Sequence, residues 1–191
     1  MQNNEEKNVV ESTQIEILKA KARRIRHRKD LAIKALSEAI SLKGKTEDYG
    51  DALVCEILDV ADCYVERGNI YFERKDYDSA MADYTEAAKL RKWAEDYEDI
   101  ARCYEKKKDW DAAIAYYTKA LRACYYGGCE SINSYYCRGK IYLERKKNYD
   151  KAISDLKKAI KACVRCGHES GCKYCLEYEK MIAEAIRRKN G

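Results

Sequence analysis

Apolar residues return every three or four positions through most of the chain, the spacing that lays one stripe along an α-helix rather than the alternation of a strand. A first helix is predicted over about 12–27, with Ile15, Leu18, Ala22 and Ile25 as its inward seam. A second follows in DLAIKALSEAISL, where Ala32, Leu36 and Ala39 share one face. Val54, Ile57, Leu58, Ala61, Tyr64 and Gly68 then run at helical spacing, which predicts one long helix from about Asp48 to Glu73. Near the C-terminus LEYEKMIAEAIRRK reads as an amphipathic helix with Leu176, Ile182 and Ile186 inward.

The middle of the chain repeats itself. Segments 65–90, 98–123 and 136–162 share one pattern of small and large residues. A small residue at Gly68, Ala101 and Gly139 is followed three positions on by Tyr71, Tyr104 and Tyr142. An aromatic stands at the turn, at Tyr77, Trp110 and Tyr149. The second helix carries Ala80, Ala113 and Ala152, then Tyr84, Tyr117 and Leu156, then Ala87, Ala120 and Ala159. A large residue precedes the small one, at Tyr64, Tyr97 and Tyr135. Such a pattern suits close helix packing, in which Gly or Ala opens a notch and a ring on the facing helix fills it.

These columns resemble the tetratricopeptide repeat, a helix-turn-helix unit of about 34 residues. The resemblance implies an all-α fold, an α-solenoid of such repeats closed by a C-terminal capping helix with a polar back. It divides the chain into a disordered tail at 1–11, a degenerate first helical pair at 12–46, three units at 47–163, and a Cys-rich loop with the capping helix at 164–191. In the degenerate pair Ala20 keeps the small position, but Arg23 stands where the Tyr should be. No proline follows the second helices, the third unit has an extra turn residue assigned to Asn148, and the unit alanines are spaced 33 and then 39 residues apart.

The family lines a concave groove with its first helices. The resemblance places Asn69, Arg102 and Lys140 there, with Asp62, Glu95 and Asn133 seven residues earlier and Val65, Glu98 and Tyr136 between. Phe72, Tyr136 and Leu143 supply apolar surface. Some co-chaperone members grip a C-terminal carboxylate with Lys, Arg and Asn on these columns; only Asn69 matches that set, and Glu95 and Glu98 oppose it. The expected function is a noncatalytic protein-interaction scaffold holding a peptide segment or partner helix by apolar contacts with charged selection at the rim.

Composition agrees with an all-helical chain: among 191 residues there is no Pro and there are only 9 Gly, while 17 Tyr and 10 Cys join the alanines as core material. The net charge of +5 hides an uneven distribution. KAKARRIRHRK, residues 19–29, carries seven bases and no acid, whereas Thr46 to Glu66 carries seven acids and no base. The basic run is a candidate phosphate-binding patch, yet without interleaved exposed aromatics it reads better as a solvated helix face paired to its acidic neighbour, so neither nucleic acid nor membrane is an expected partner. No stretch approaches the about 18 uninterrupted apolar residues of a membrane span, and the start MQNNEEKNVV has no apolar signal segment, so a cytoplasmic location is expected. With His27 and His168 the only histidines, and no nucleophile-base pair or phosphate-cradling Gly loop in the sequence, an enzyme is not expected.

The sharpest chemical motif is CVRCGHESGCKYC, in which Cys163, Cys166, Cys172 and Cys175 form two Cys-x2-Cys pairs around His168. Four thiolates at such spacing can hold a structural zinc, although the five residues between the pairs are fewer than in zinc ribbons. The preceding loop is built alike, with Cys124, Cys129 and Cys137. Pairing each helix-end Cys with one in the next helix, Cys124 with Cys137 and Cys163 with Cys175, suits disulfides equally well. It resembles the stapling of the exported, Sel1-like repeat proteins, which implies a location outside the cytoplasm. A metal- or nucleic-acid-linked regulator is the third reading, and Cys55, Cys63 and Cys103 add either further pairs or core packing.

Overall fold

The structure is a computed structural model that describes residues 13–22, 29–43, 50–127, 131–165 and 172–191, without the side chains of 42–59 and 124–127. Among the described residues there are nine helices and no strand. They are α1 (13–22), α2 (Lys29–Lys43), α3 (Gly50–Glu73), α4 (Tyr77–Arg91), α5 (Ala94–Lys106), α6 (Trp110–Gly127), α7 (Ile132–Glu144), α8 (Tyr149–Arg165) and α9 (Lys173–Asn190). They fall into two compact units, Met1–Lys92 and Trp93–Gly191. No helix among the described residues is long and apolar enough to cross a membrane.

The paired helices form because their turns are chemically alike. Lys75, Lys108 and Lys147 each take a left-handed backbone, at φ 64°, 63° and 51°, and reverse the chain. The next residue caps the second helix: Asp76, Asp109 and Asn148 accept from the backbone N–H groups of Ser79 (3.2 Å), Ala112 (3.1 Å) and Lys151 (3.1 Å). The same three residues donate their own N–H to the carbonyls of Tyr71, Tyr104 and Tyr142, at 3.0, 2.9 and 2.9 Å. Asn148 is therefore the counterpart of Asp76 and Asp109 and not the extra residue. The surplus is absorbed earlier, between Glu144 and Lys147, where the turn runs one residue longer than Arg74–Lys75 or Lys107–Lys108.

The repeat columns become the core. In the first unit Ile15, Leu18 and Ala22 of α1 pack with Ala32, Ala35, Leu36 and Ala39 of α2 and with Val60, Cys63 and Ile70 of α3. Ala20 is exposed, so α1 docks through its aliphatic seam and not through a small-residue notch; Arg23 and Ile25 lie outside the described residues. Between α3 and α4, Gly68 meets Tyr84 so closely that an added Cβ would stand 2.8 Å from the ring. The second unit repeats the arrangement with Ala101 packed in one cluster with Tyr117, and with Gly139, whose missing Cβ would stand 3.2 Å from Leu156 Cγ. All six second-helix alanines of the two columns are fully buried.

Polar locks reinforce this packing. Arg67 in α3 forks onto Asp83 of α4 at 2.8 and 2.6 Å and gives its third nitrogen to Ser37 of α2 at 2.8 Å. Arg138 in α7 does the same with Asp155 of α8, at 2.7 and 2.8 Å, and with Thr118 of α6 at 2.8 Å. Each arginine thus joins three consecutive helices. The intervening repeat has Ile100 and Tyr116 at the equivalent positions, so it carries no such ion pair there.

The capping helix turns a different face inward from the one its large aliphatic residues suggest. Leu176 and Ile186 are 47% and 45% exposed, whereas Cys175, Tyr178 and Ala185 are buried and Met181 and Ile182 half-buried. Tyr178 closes over Leu156 and Ala159, and Ala185 sits against Leu143 and Ala152. The cause is the notch logic again: a facing helix lined by alanines is approached best by a small residue and a flat ring, so bulkier Leu176 and Ile186 turn outward.

Two stability measurements check these assignments. Asp155→Ala, which strands Arg138 with little solvent, should cost roughly 3 kcal/mol in chemical denaturation, while Arg138→Ile with Asp155→Tyr, copying the middle repeat, should stay within about 1.5 kcal/mol of the parent. Leu176→Glu and Ile186→Glu should each change stability by about 0.5 kcal/mol or less, against about 3 kcal/mol for Tyr178→Ala.

Candidate functional site

Two places in the second unit gather chemistry: the exposed side of the first helices α5 and α7, and the junction of α8 with α9. On the first, α5 and α7 are tied by one carboxylate. Glu98 Oε1 accepts from the hydroxyls of Ser131 and Ser134, the latter at 2.5 Å, and Oε2 accepts from Asn133 Nδ2 at 2.8 Å. Ser131 also caps α7, accepting from the Ser134 N–H at 3.0 Å. A negative charge at a helix N-terminus is favourable, so Glu98 positions α7 rather than facing a ligand. The groove alignment marked Glu98 only by column and sign; the Ser-x-x-Ser at 131–134 is the signal that could have exposed its role.

The candidate groove residues divide accordingly. Arg102 is exposed and pairs with Asp99 at 2.7 Å. Burial holds the Asp99 carboxyl above its usual range, with Arg102 opposing the shift. Lys140 is exposed at the equivalent position of α7. Tyr136 is half-buried beneath the capping helix: its hydroxyl donates to Glu177 at 3.0 Å and its ring lies 5.1 Å from that of Tyr178. Burial first, then Glu177, pushes its phenol well above the ordinary value. Leu143 is 3% exposed and packs with Ala152 and Ala185, which places it in the core and off any groove wall. In the first unit Asn69 accepts from the Tyr84 hydroxyl at 2.8 Å, and Phe72 meets the Tyr77 ring edge-on at 5.4 Å. Asp62 is held by Arg91 at 2.5 Å.

The second place is the cysteine motif. Cys163 lies in the last turn of α8, Cys172 is the N-cap of α9, and Cys175 stands in its first turn. Their sulfurs all lie within 4.8 Å of one another, with Cys163 and Cys172 at 3.7 Å. Cys166 and His168 lie outside the described residues. The Cys172 sulfur accepts the Cys175 N–H at 3.5 Å, which lowers its thiol below the ordinary value. Burial pushes the Cys163 thiol up to about 12, aided by hydrogen bonding with Cys175 and Cys172. Of the other candidates, Cys63 and Cys103 are buried in their units, and Cys137 is raised to about 11 by burial, with Tyr117 opposing. The side chains of Cys55 and Cys124 and the whole of Cys129 lie outside the described residues, so the structure does not speak to the pairing of Cys124 with Cys137.

Two tetratricopeptide repeat family models match the sequence, over residues 61–92 and 94–165, together more than half of the chain. No curated protein matches it. Among solved structures the chain is similar to the MamA protein (TM-score 0.61, 17% identity, 94% of this chain and 90% of that one). It is similar to the TPR2B domain of yeast Sti1, solved as a pHsp70 complex (TM-score 0.57, 21% identity, 67% and 97%). It is also similar to a tetratricopeptide repeat protein from Parabacteroides merdae (TM-score 0.71, 16% identity, 93% and 62%). At these identities the structural likeness speaks for the fold alone, an all-α repeat fold of the α-solenoid class. The matched repeats, their shared turns and the interlocking of small and large columns lead to one assignment: the chain belongs to the tetratricopeptide repeat family of protein-interaction scaffolds.

Proposed function

We propose that this protein binds a peptide segment or partner helix along the exposed side of α5 and α7, as a noncatalytic scaffold. The observation that carries the reading is the placement of Arg102 and Lys140: both are exposed, they occupy equivalent repeat positions, and their helices are held together by Glu98. Cations repeated on neighbouring rigid helices match carboxylates spaced along one partner segment, and exposed ion pairs of this kind are worth about 0.2–1 kcal/mol each. Glu95, exposed two turns before Arg102, selects a base at the rim. Because both helices are fixed before the ligand arrives, little ordering cost falls on binding. Yeast Sti1 TPR2B, solved as a pHsp70 complex, supports recognition of a protein partner.

Peptides selected from a displayed random library against the protein should be rich in acidic residues. Their affinity for the Arg102→Glu, Lys140→Glu double variant, read by isothermal titration, should fall at least about tenfold while circular dichroism still shows the helical fold. Undiminished binding to that variant would move the ligand to another face.

A further inference from the structure

The thiols of Cys163, Cys172 and Cys175 have no part in the peptide-binding reading, yet they are gathered with more order than core packing needs. They come from two helices and an N-cap. Two of them, Cys163 and Cys175, are 1% exposed, and Cys172 stands half-buried at the rim. We propose that the three sulfurs form a structural metal site for a soft, tetrahedral divalent cation, zinc foremost, that pins the capping helix α9 to the end of α8.

The geometry is the first argument. A tetrahedron built on zinc–sulfur bonds of about 2.3 Å has edges of about 3.8 Å. The Cys163–Cys172 separation of 3.7 Å matches one such edge, and all three sulfurs lie within 4.8 Å of one another, so a shift of about 1 Å at most brings the other two edges to the length such a tetrahedron needs. A disulfide would join two of the three and leave the third thiol stranded among them.

The donor set is the second. The cluster consists of sulfur alone, with no carboxylate or imidazole among its described members, and an all-thiolate set favours zinc and similarly thiophilic ions over magnesium or calcium. The Cys175 N–H already points at the Cys172 sulfur, as amides do where they support the negative charge of a metal-bound thiolate. Coordination replaces each S–H by a sulfur–metal bond and releases the protons to water, so the step balances without any oxidant. Cys166 lies outside the described residues, and the proposal rests on the three thiols alone.

The site has a mechanical consequence. Tyr178 and Ala185 of α9 cover Leu156, Ala159, Leu143 and Ala152, so α9 is the lid on the end of the repeat core. A metal bridging Cys163 to Cys172 and Cys175 would clamp the near end of that lid, while Tyr178 and Ala185 hold its length. Tyr136, which rests on Tyr178, lies under the clamp.

The test uses the full chain purified under reducing conditions without chelator. Elemental analysis should find about one zinc per chain, and Cys172→Ser should lower this at least about tenfold. Serine is itself a favourable N-cap, so this variant keeps α9 folded. Cobalt added to apoprotein should give thiolate-to-cobalt charge-transfer absorption with tetrahedral d–d bands, lost in Cys175→Ser. A strong chelator should lower the melting temperature of the parent and leave that of Cys172→Ser unmoved. Three results would overturn the site: zinc-free protein with every thiol titratable, a Cys163–Cys172 or Cys163–Cys175 disulfide in non-reduced peptide maps, or zinc retained in both serine variants.

Discussion

Each of the repeat pairs α3–α4, α5–α6 and α7–α8 depends on how near two backbones can come, and that distance is set by one residue on the first helix. Gly68, Ala101 and Gly139 remove side-chain bulk where Tyr84, Tyr117 and Leu156 press in. The middle repeat shows the constraint at work. There the small residue is Ala, and the Tyr117 hydroxyl reaches Glu105, four residues beyond it; with Gly68 beneath, Tyr84 settles on Asn69, the next residue. The position matching Glu105 in the earlier repeat is Phe72, which offers no acceptor, so a Tyr84 displaced by an alanine would lose its bond to Asn69 with no counterpart of Glu105 to replace it. Notch, ring and acceptor therefore vary together.

From that contact the rest follows outward. Within each unit buried second-helix alanines let neighbouring helices close, Arg67 and Arg138 bind three helices each, and Glu98 sets α7 against α5. The outcome in the second unit is a stiff pair of first helices presenting Arg102 and Lys140, which is what a scaffold for an extended segment requires.

Much of this was legible in the sequence because it is written in residue size. The Gly/Ala, Tyr and Ala columns returned at equal offsets and became the core, and the long helix predicted to end at Glu73 does so. What size and hydropathy could not settle was phase and polar partnership. The inward seam of α9 was misassigned because Leu176 and Ile186 outrank Tyr178 and Ala185 in hydrophobicity, whereas fit against alanines decides the contact. Residue counting marks Asn148 as an insertion, yet it caps α8, and counting does not reveal which residue caps a helix. Glu98 looked like groove lining because a column shows sign but not partner. For the cysteines, spacing marked the motif, while the nearness of Cys172 to Cys163 required the helix ends in space.

The coupling of notch to ring is measured most directly by a double-mutant cycle on Gly68 and Tyr84 in chemical denaturation. With Tyr84 in place, Gly68→Ala should cost about 1–3 kcal/mol despite the better helix propensity of alanine. In a Tyr84→Leu background the same change should cost at least about 1 kcal/mol less, because the ring that the new Cβ would strike is gone. Equal costs in the two backgrounds, agreeing within about 0.3 kcal/mol, would show that the pair does not govern the helix approach and would contradict the account.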